Sequence, residues 1–293
     1  MDWRSIGIVS DPGGVLIGLL RRVFGGGHGK MAKRMDSEVL LRECHLFRHD
    51  ERQLQALIDT YPNRPEPLVT RGMNLAEARD WEKLAATAIE LRRRFPGVID
   101  GYAQGANALR SLGRLDESEA WALAAMRRFP RSSAGPAAYA TCAELRGDLD
   151  AAVRRWEGVR RRYPDMLWAW IRLSEVLARL GRMDEADDLA ARAIDAFPKD
   201  VTGWTHHARL AERIKDWPAA AQRWSAGRAY FDLDPTFYAR GAHALRLALD
   251  IQGAAKLITE AGFLFPHNKD LLVEREAIIG AGGDPGPLPP PRV

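Results

Sequence analysis

The feature that most constrains this chain is a dipeptide slot, an aromatic residue followed by proline, recurring every thirty-four residues. It reads Tyr61-Pro62, Phe95-Pro96, Phe129-Pro130, Tyr163-Pro164, Phe197-Pro198 and Phe265-Pro266; at Phe231-Asp232 the ring persists without the proline. A fixed period of this length marks an array of stacked units, each burying its apolar face against its neighbours. Domain count therefore follows from the array and not from the 293-residue length, and the expectation is one solenoid with tails.

Helical spacing begins at Asp36, with Val39, Leu40, Leu41 and Leu46, then Leu54, Leu57 and Ile58 before Tyr61-Pro62. Six better-formed units follow. Their eighth position is small (Gly72, Ala106, Ala140, Ser174, Ala208, Ala242), and the twentieth is nearly as regular (Leu84, Ser118, Ala152, Ala186, Ala220, Ala254). Such positions let two antiparallel helices approach closely, because a branched residue would overpack the contact. Turns such as Gly113-Arg114-Leu115-Asp116 and Gly181-Arg182-Met183-Asp184 separate the helices: glycine takes the left-handed conformation, and the acid favours the exposed amides of the next helix. The slot proline stops the second helix and the ring is expected to pack between units. Without its proline, Phe231-Asp232 predicts a second helix that ends differently, running on toward Asp234-Pro235.

The period, the small eighth position, Trp or Tyr at the fourth (Tyr102, Trp170, Trp204, Tyr238) and the closing proline resemble the tetratricopeptide repeat over about residues 31–268. The resemblance implies an all-α, right-handed superhelical solenoid of antiparallel helix pairs. A degenerate first repeat, 31–64, carries Glu38 in its small slot, and repeats 65–98, 99–132, 133–166, 167–200, 201–234 and 235–268 follow, with Leu68 and Pro136 replacing the fourth-position aromatic in two of them. Residues 269–281 read as a capping helix, 282–293 as a Pro/Gly-rich disordered tail, and 1–30 as a flexible leader, with Met31 or Met35 as alternative starts.

Composition excludes several classes of function. A formal charge of +4 is too small to imply nucleic acid. Cys44 and Cys142 fall in different repeats, which argues against a disulfide framework and for a reducing, cytoplasmic setting. The best apolar run, Val15 to Leu20, is far short of the ~20 residues that span a bilayer. Residues 15–24 leave a weak option of an amphipathic helix touching a membrane or a partner, below that of a flexible leader. Gly25 to Lys30 is not a phosphate loop, since Phe24 and Met31 occupy the required glycine and hydroxyl positions. Cys44-His45 with His49 lacks a second ligand cluster, and no nucleophile or carboxylate pair stands out. The expectation is a non-enzyme with no metal, cofactor or catalytic residue. His207, at the core-facing seventh position, reads as a satisfied interior histidine.

In the family so resembled, positions 2, 5, 6, 9, 12 and 13 of each first helix line a concave groove. Here they provide Gln104 and Asn107, then a basic set with an aromatic edge: Trp168, Arg172, Arg179, His206, Arg209, Arg213, Arg240, His243 and Arg246. Guanidinium groups bind carboxylates bidentately, so the expected partner is a protein or peptide, acidic in character. The alternative is that Arg179 with Glu175, and Arg213 with Glu212, simply solvate a helix surface. Asn107 suits the carboxylate clamp of relatives that grip chaperone tails, but Ala103 stands where the lysine should be. A second pattern, Arg92-Arg93-Arg94, Arg127-Arg128 and Arg160-Arg161-Arg162, sits at second-helix C-termini, where the helix dipole favours cations. The expected function is a scaffold or adaptor. RNA binding through that arginine ridge, or an accessory role in a bacterial polysaccharide or envelope assembly system, is the alternative.

Overall fold

The computed structural model describes residues 37–286. The leader, the 15–24 segment, the alternative starts and residues 287–293 lie outside them. The described chain is fifteen α-helices: α1 (Ser37–Leu46), α2 (Glu51–Thr60), α3 (Glu66–Glu77), α4 (Trp81–Arg94), α5 (Ile99–Ser111), α6 (Leu115–Arg128), α7 (Ala134–Arg146), α8 (Leu149–Arg162), α9 (Leu167–Arg179), α10 (Met183–Ala196), α11 (Val201–Arg213), α12 (Trp217–Arg228), α13 (Pro235–Leu247), α14 (Ile251–Leu264) and α15 (Lys269–Gly280). The fold is an all-α helical repeat. Its contacts divide it, within α7, into two compact units, Met1–Cys142 and Ala143–Val293, each treated by itself below.

The hairpins close through the two small positions. Ser118 Oγ donates to the Ala106 carbonyl at 2.7 Å, and Ser174 Oγ to Ala186 at 2.8 Å, so the eighth position faces the twentieth. All these side chains are fully buried. The first helix ends in a left-handed residue, glycine at Gly113, Gly147 and Gly181 with φ of 75 to 79°. The same conformation is held by Arg79 (57°), Lys215 (61°) and Leu249 (67°), where a side chain adopts it at a cost. Asp80, Asp148, Asp216 and Asp250 then cap the second helix by accepting the amide three residues on.

Each slot aromatic ends its hairpin in one turn: Val98 N donates to Phe95 O at 3.0 Å, Ser132 N to Phe129 O at 2.9 Å, Asp200 N to Phe197 O at 3.1 Å. Asp234 N donates to Phe231 O at 3.1 Å in the same way, so the expected run-on past 231 does not occur. Instead α12 stops early, at Arg228. Pro235 holds the residue before it out of the helical region, and Asp234 is extended at φ −101°, ψ 110°, capping α13. The Phe231 ring stacks on Phe237, 5.6 Å between centroids. Phe129 meets Tyr102 at 5.3 Å, Phe197 meets Trp170 at 6.4 Å and Phe265 meets Tyr238 at 5.6 Å inside their own hairpins, and Phe95 and Phe265 also pack across units as expected, against the clusters that hold Ile58 and Leu271.

At the C-terminal end α15 buries Leu271 and Ile278 against α13 and α14. The described start of the tail is packed, contrary to the expectation of disorder: Pro285 is fully buried, and its carbonyl accepts Thr259 Oγ1 at 2.8 Å and Arg275 Nη1 at 3.1 Å. Those two donors on α14 and α15 hold a segment whose composition alone reads as loose.

Candidate functional site

In the second unit, the first-helix face is organised by buried carboxylates. Glu144, near the end of α7, is 2% exposed and accepts Trp156 Nε1 from α8 and the Arg172 guanidinium from α9, with Arg179 3.6 Å away. Burial pushes its carboxyl up from the usual range, against the two guanidinium groups that favour its charge. The arrangement returns sixty-eight residues later: Glu212 on α11 accepts Trp224 Nε1 from α12 at 2.8 Å and Arg240 from α13. At the next junction the charges are exchanged. Arg246 on α13 donates Nε to Glu274 Oε1 on α15 at 2.6 Å, and His243 Nδ1 lies 3.0 Å from Glu274 Oε2.

Between the two arginine junctions the same sixth position is His206. Its Nε2 lies 2.8 Å from Ser174 Oγ, whose hydrogen is committed to the Ala186 carbonyl, so the imidazole is the donor. Burial, reinforced by His207, Arg209 and Arg172, pushes its pKa down to about 4. His207 is held as an interior histidine is, 3.4 Å from Asp187, which also grips Arg223 at 2.5 Å. Asp187 and Arg223 line a cavity of about 400 Å³ floored by Leu210 and Ala211.

The expected basic groove is thus partly closed. Arg172, Arg240 and Arg246 are ion-paired inside the helix junctions, and His206 and His243 are committed there too. What remains outward is Trp168, 51% exposed, with the Arg172 guanidinium 5.4 Å from its ring centre, together with Arg179, Arg209 and Arg213. No carboxylate pairs with Arg209 or Arg213 among the described residues. Because α9 and α11 are in contact, these groups share one face.

In the first unit, Gln104 is also a junction residue. Its Nε2 donates to the Val69 carbonyl on α3 at 3.0 Å, and its side chain fills the space beside Gly72, where a Cβ would come within 2.0 Å of the amide oxygen. Asn107 accepts Arg110 Nη2 at 2.6 Å. The arginine ridge is structural at two of its three positions. Arg92 lies 5.0 Å over Tyr102, Arg160 4.8 Å over Trp170 and Arg228 5.2 Å over Tyr238; Arg94 and Arg128 donate to the carbonyls of Pro62 and Pro96. Arg93, Arg127 and Arg161 remain exposed.

The thirty-four-residue register puts Glu144 and Glu212 on the same first-helix face as the arginines but does not show their pairing with Arg172, Arg240 and the indoles. The signal was present as a second period: Glu144 and Glu212, Trp156 and Trp224, Arg172 and Arg240 recur at sixty-eight residues, not thirty-four. Among the described residues no group of three or more His, Cys, Asp or Glu side chains converges as a metal site, and no helix is long and apolar enough to cross a membrane.

Residues 143–210 match the family model described as tetratricopeptide repeat. No curated protein matches the sequence significantly. Among solved structures the fold is shared with a tetratricopeptide repeat protein from Parabacteroides merdae ATCC 43184 (14% identity, 74% of this chain and 86% of that one, TM-score 0.50) and with Pseudomonas aeruginosa PilF (12%, 73% and 96%, 0.51). It is shared too with a chain of the Cut9–Hcn1 hetero-tetramer of the APC/C (13%, TM-score 0.51), where 91% of this chain covers 53% of the other. At these identities the likeness is one of fold.

Proposed function

We propose that this chain, whose residues 143–210 match the tetratricopeptide repeat model and whose fold is an all-α helical repeat, is a non-catalytic scaffold whose second unit holds an acidic segment of a protein partner on the face of α9 and α11. The observation that carries this reading is the pair Arg209 and Arg213, one helical turn apart and exposed, without a carboxylate among the described residues to neutralise them. Guanidinium groups so placed take carboxylates bidentately, and Trp168 offers a flat apolar anchor beside them. A rigid helical face loses little entropy on binding, so a few such anchors suffice. The free thiols Cys44 and Cys142, both buried, suit a reducing compartment, and we place the protein in the cytoplasm.

The test is a comparison of two charge reversals in the full-length protein. Arg209→Glu with Arg213→Glu is expected to abolish capture of an acidic partner while leaving circular dichroism unchanged. Arg93→Glu, Arg127→Glu and Arg161→Glu on the ridge are expected to leave it intact. Loss on ridge reversal alone, with a steep fall of binding in salt, would replace this reading by an RNA-binding one.

A further inference from the structure

Arg209 and Arg213 stand four residues apart on α11, about 6 Å along its axis and about 40° apart around it, so both guanidinium groups leave the same side of the helix. In an extended chain, residues two apart point to the same side and lie about 6.6 Å apart. The two spacings match, and each guanidinium can take one carboxylate of an extended segment in which acids alternate with other residues. The carboxylates on this face do not compete for them: Glu175 is paired with Arg172, and Glu212 with Arg240 and the Trp224 N–H. Trp168 sets the distance to an apolar end. Its α11 counterpart, Thr202, lies seven residues before Arg209, about 10 Å along the axis, and neighbouring helices pack about 9 Å apart, so an extended chain crosses from Trp168 to Arg209 in about four residues.

A helical partner offers acids at the same pitch, four residues apart, and His206 separates the two cases. Its Nε2–H is given to Ser174 Oγ and burial keeps the ring neutral, so Nδ1 retains its lone pair. No hydrogen bond among the described residues reaches Nδ1, and the atom is not one of the sealed, unsatisfied polar atoms of the chain. An acceptor calls for an N–H, which a helix has already spent on itself and an extended segment keeps free. We propose, resting on the acidic-segment reading above, that this face selects an extended segment whose carboxylates stand two residues apart. They sit on Arg209 and Arg213, a backbone N–H of the segment donates to His206 Nδ1, and an apolar side chain about four residues from the nearer acid lies on Trp168. Arg209, Arg213 and His206 are then the residues that set specificity, reading spacing and conformation as well as charge.

The experiment titrates the full-length protein into fluorescein-labelled peptides and reads fluorescence anisotropy. The probe is a glycine–serine peptide with one leucine and, four and six residues from it, two glutamates, made in both chain directions. The tighter direction is expected to bind at least about tenfold better than its isomer with adjacent glutamates, whose second carboxylate points away. In Arg213→Ala, which circular dichroism should show to be folded, the two isomers are expected to bind alike, because the group that reads the spacing is gone. N-methylation of one residue between leucine and the nearer glutamate should weaken binding severalfold without any change to the protein. Equal affinity for the spaced and adjacent isomers, with both lost in Arg209→Glu with Arg213→Glu, would overturn the spacing inference and leave the acidic-segment reading in place. Tighter binding of an alanine-based helical peptide with glutamates four residues apart would overturn it as well, in favour of a helical partner. Affinity of every glutamate peptide no higher than that of an all-serine control would overturn both readings.

Discussion

The two units close neighbouring first helices with different chemistry at the same repeat positions. In the first unit the sixth-position residue is Gln104, whose amide reaches back to the Val69 backbone over Gly72. In the second it is Arg172 or Arg240, clamped on a buried glutamate that also accepts a tryptophan N–H. The contrast shows why counting arginines misjudges the face. An arginine at the sixth position is matched by a glutamate at the twelfth of the preceding first helix, so each such pair is formally neutral. On this face Arg209 and Arg213 are exposed and have no such match among the described residues.

Removing one clamp from each unit should separate the two chemistries most widely. Glu144→Ala strands Arg172 and the Trp156 N–H in a site that is 2% exposed at the carboxylate, and should destabilise the second unit by about 3 kcal/mol. Gln104→Ala removes one hydrogen bond from a neutral group and should cost about 1 kcal/mol. Thermal unfolding followed by far-UV circular dichroism, with hydrogen exchange to locate the loss, distinguishes them. Equal costs would mean that the buried charge is no more than a substitute for the amide.

A second test uses the one junction of the second unit that is neutral. His206 has an ordinary pKa of 6.5 when unfolded and about 4 when folded, so the folded state excludes its proton. The unfolded chain binds more protons between these values, so stability present above pH 6.5 is lost as pH falls toward 4. The loss is on the order of 3 kcal/mol at its limit. His207, Arg209 and Arg172 face the ring, and each disfavours its protonated form. His206→Gln should flatten the fall in melting temperature between pH 6.5 and 4.5 relative to the unsubstituted protein. An unchanged profile would place the acid sensitivity in the carboxylates of the ion-paired junctions instead.

Much of the scaffold is legible from spacing alone, because the eighth and twentieth positions meet closely and take small side chains everywhere but at Leu84. Ser118 and Ser174 show it directly, each bonding the facing carbonyl. The turn at Phe231 forms without the slot proline. Asp234 and Pro235, which open α13, enforce the same reversal from the other side. The site was half legible for a related reason. A thirty-four-residue register places Arg172, Arg240 and Arg246 on the first-helix face, but the buried partners sit twenty-eight residues away on a neighbouring hairpin, at Glu144, Glu212 and Glu274. Such pairing becomes visible only when alternate repeats are compared.

The smallest expected effect sharpens what the two units share. Position fifteen of every well-formed repeat is left-handed, and three of its occupants, Arg79 in the first unit and Lys215 and Leu249 in the second, carry a Cβ there. A left-handed residue other than glycine costs about 1 kcal/mol, part of which glycine returns through its greater freedom in the unfolded chain. Leu249 is 86% exposed, so replacing it loses no packing. Leu249→Gly and Arg79→Gly should each raise stability by about 0.5 kcal/mol, read as a rise of one or two degrees in melting temperature. Equal gains in both units would mark the turn as common scaffold, indifferent to the chemistry that closes the helices above it. A gain in one unit alone would mean that the turns, like the junctions, have diverged between the two halves of the chain.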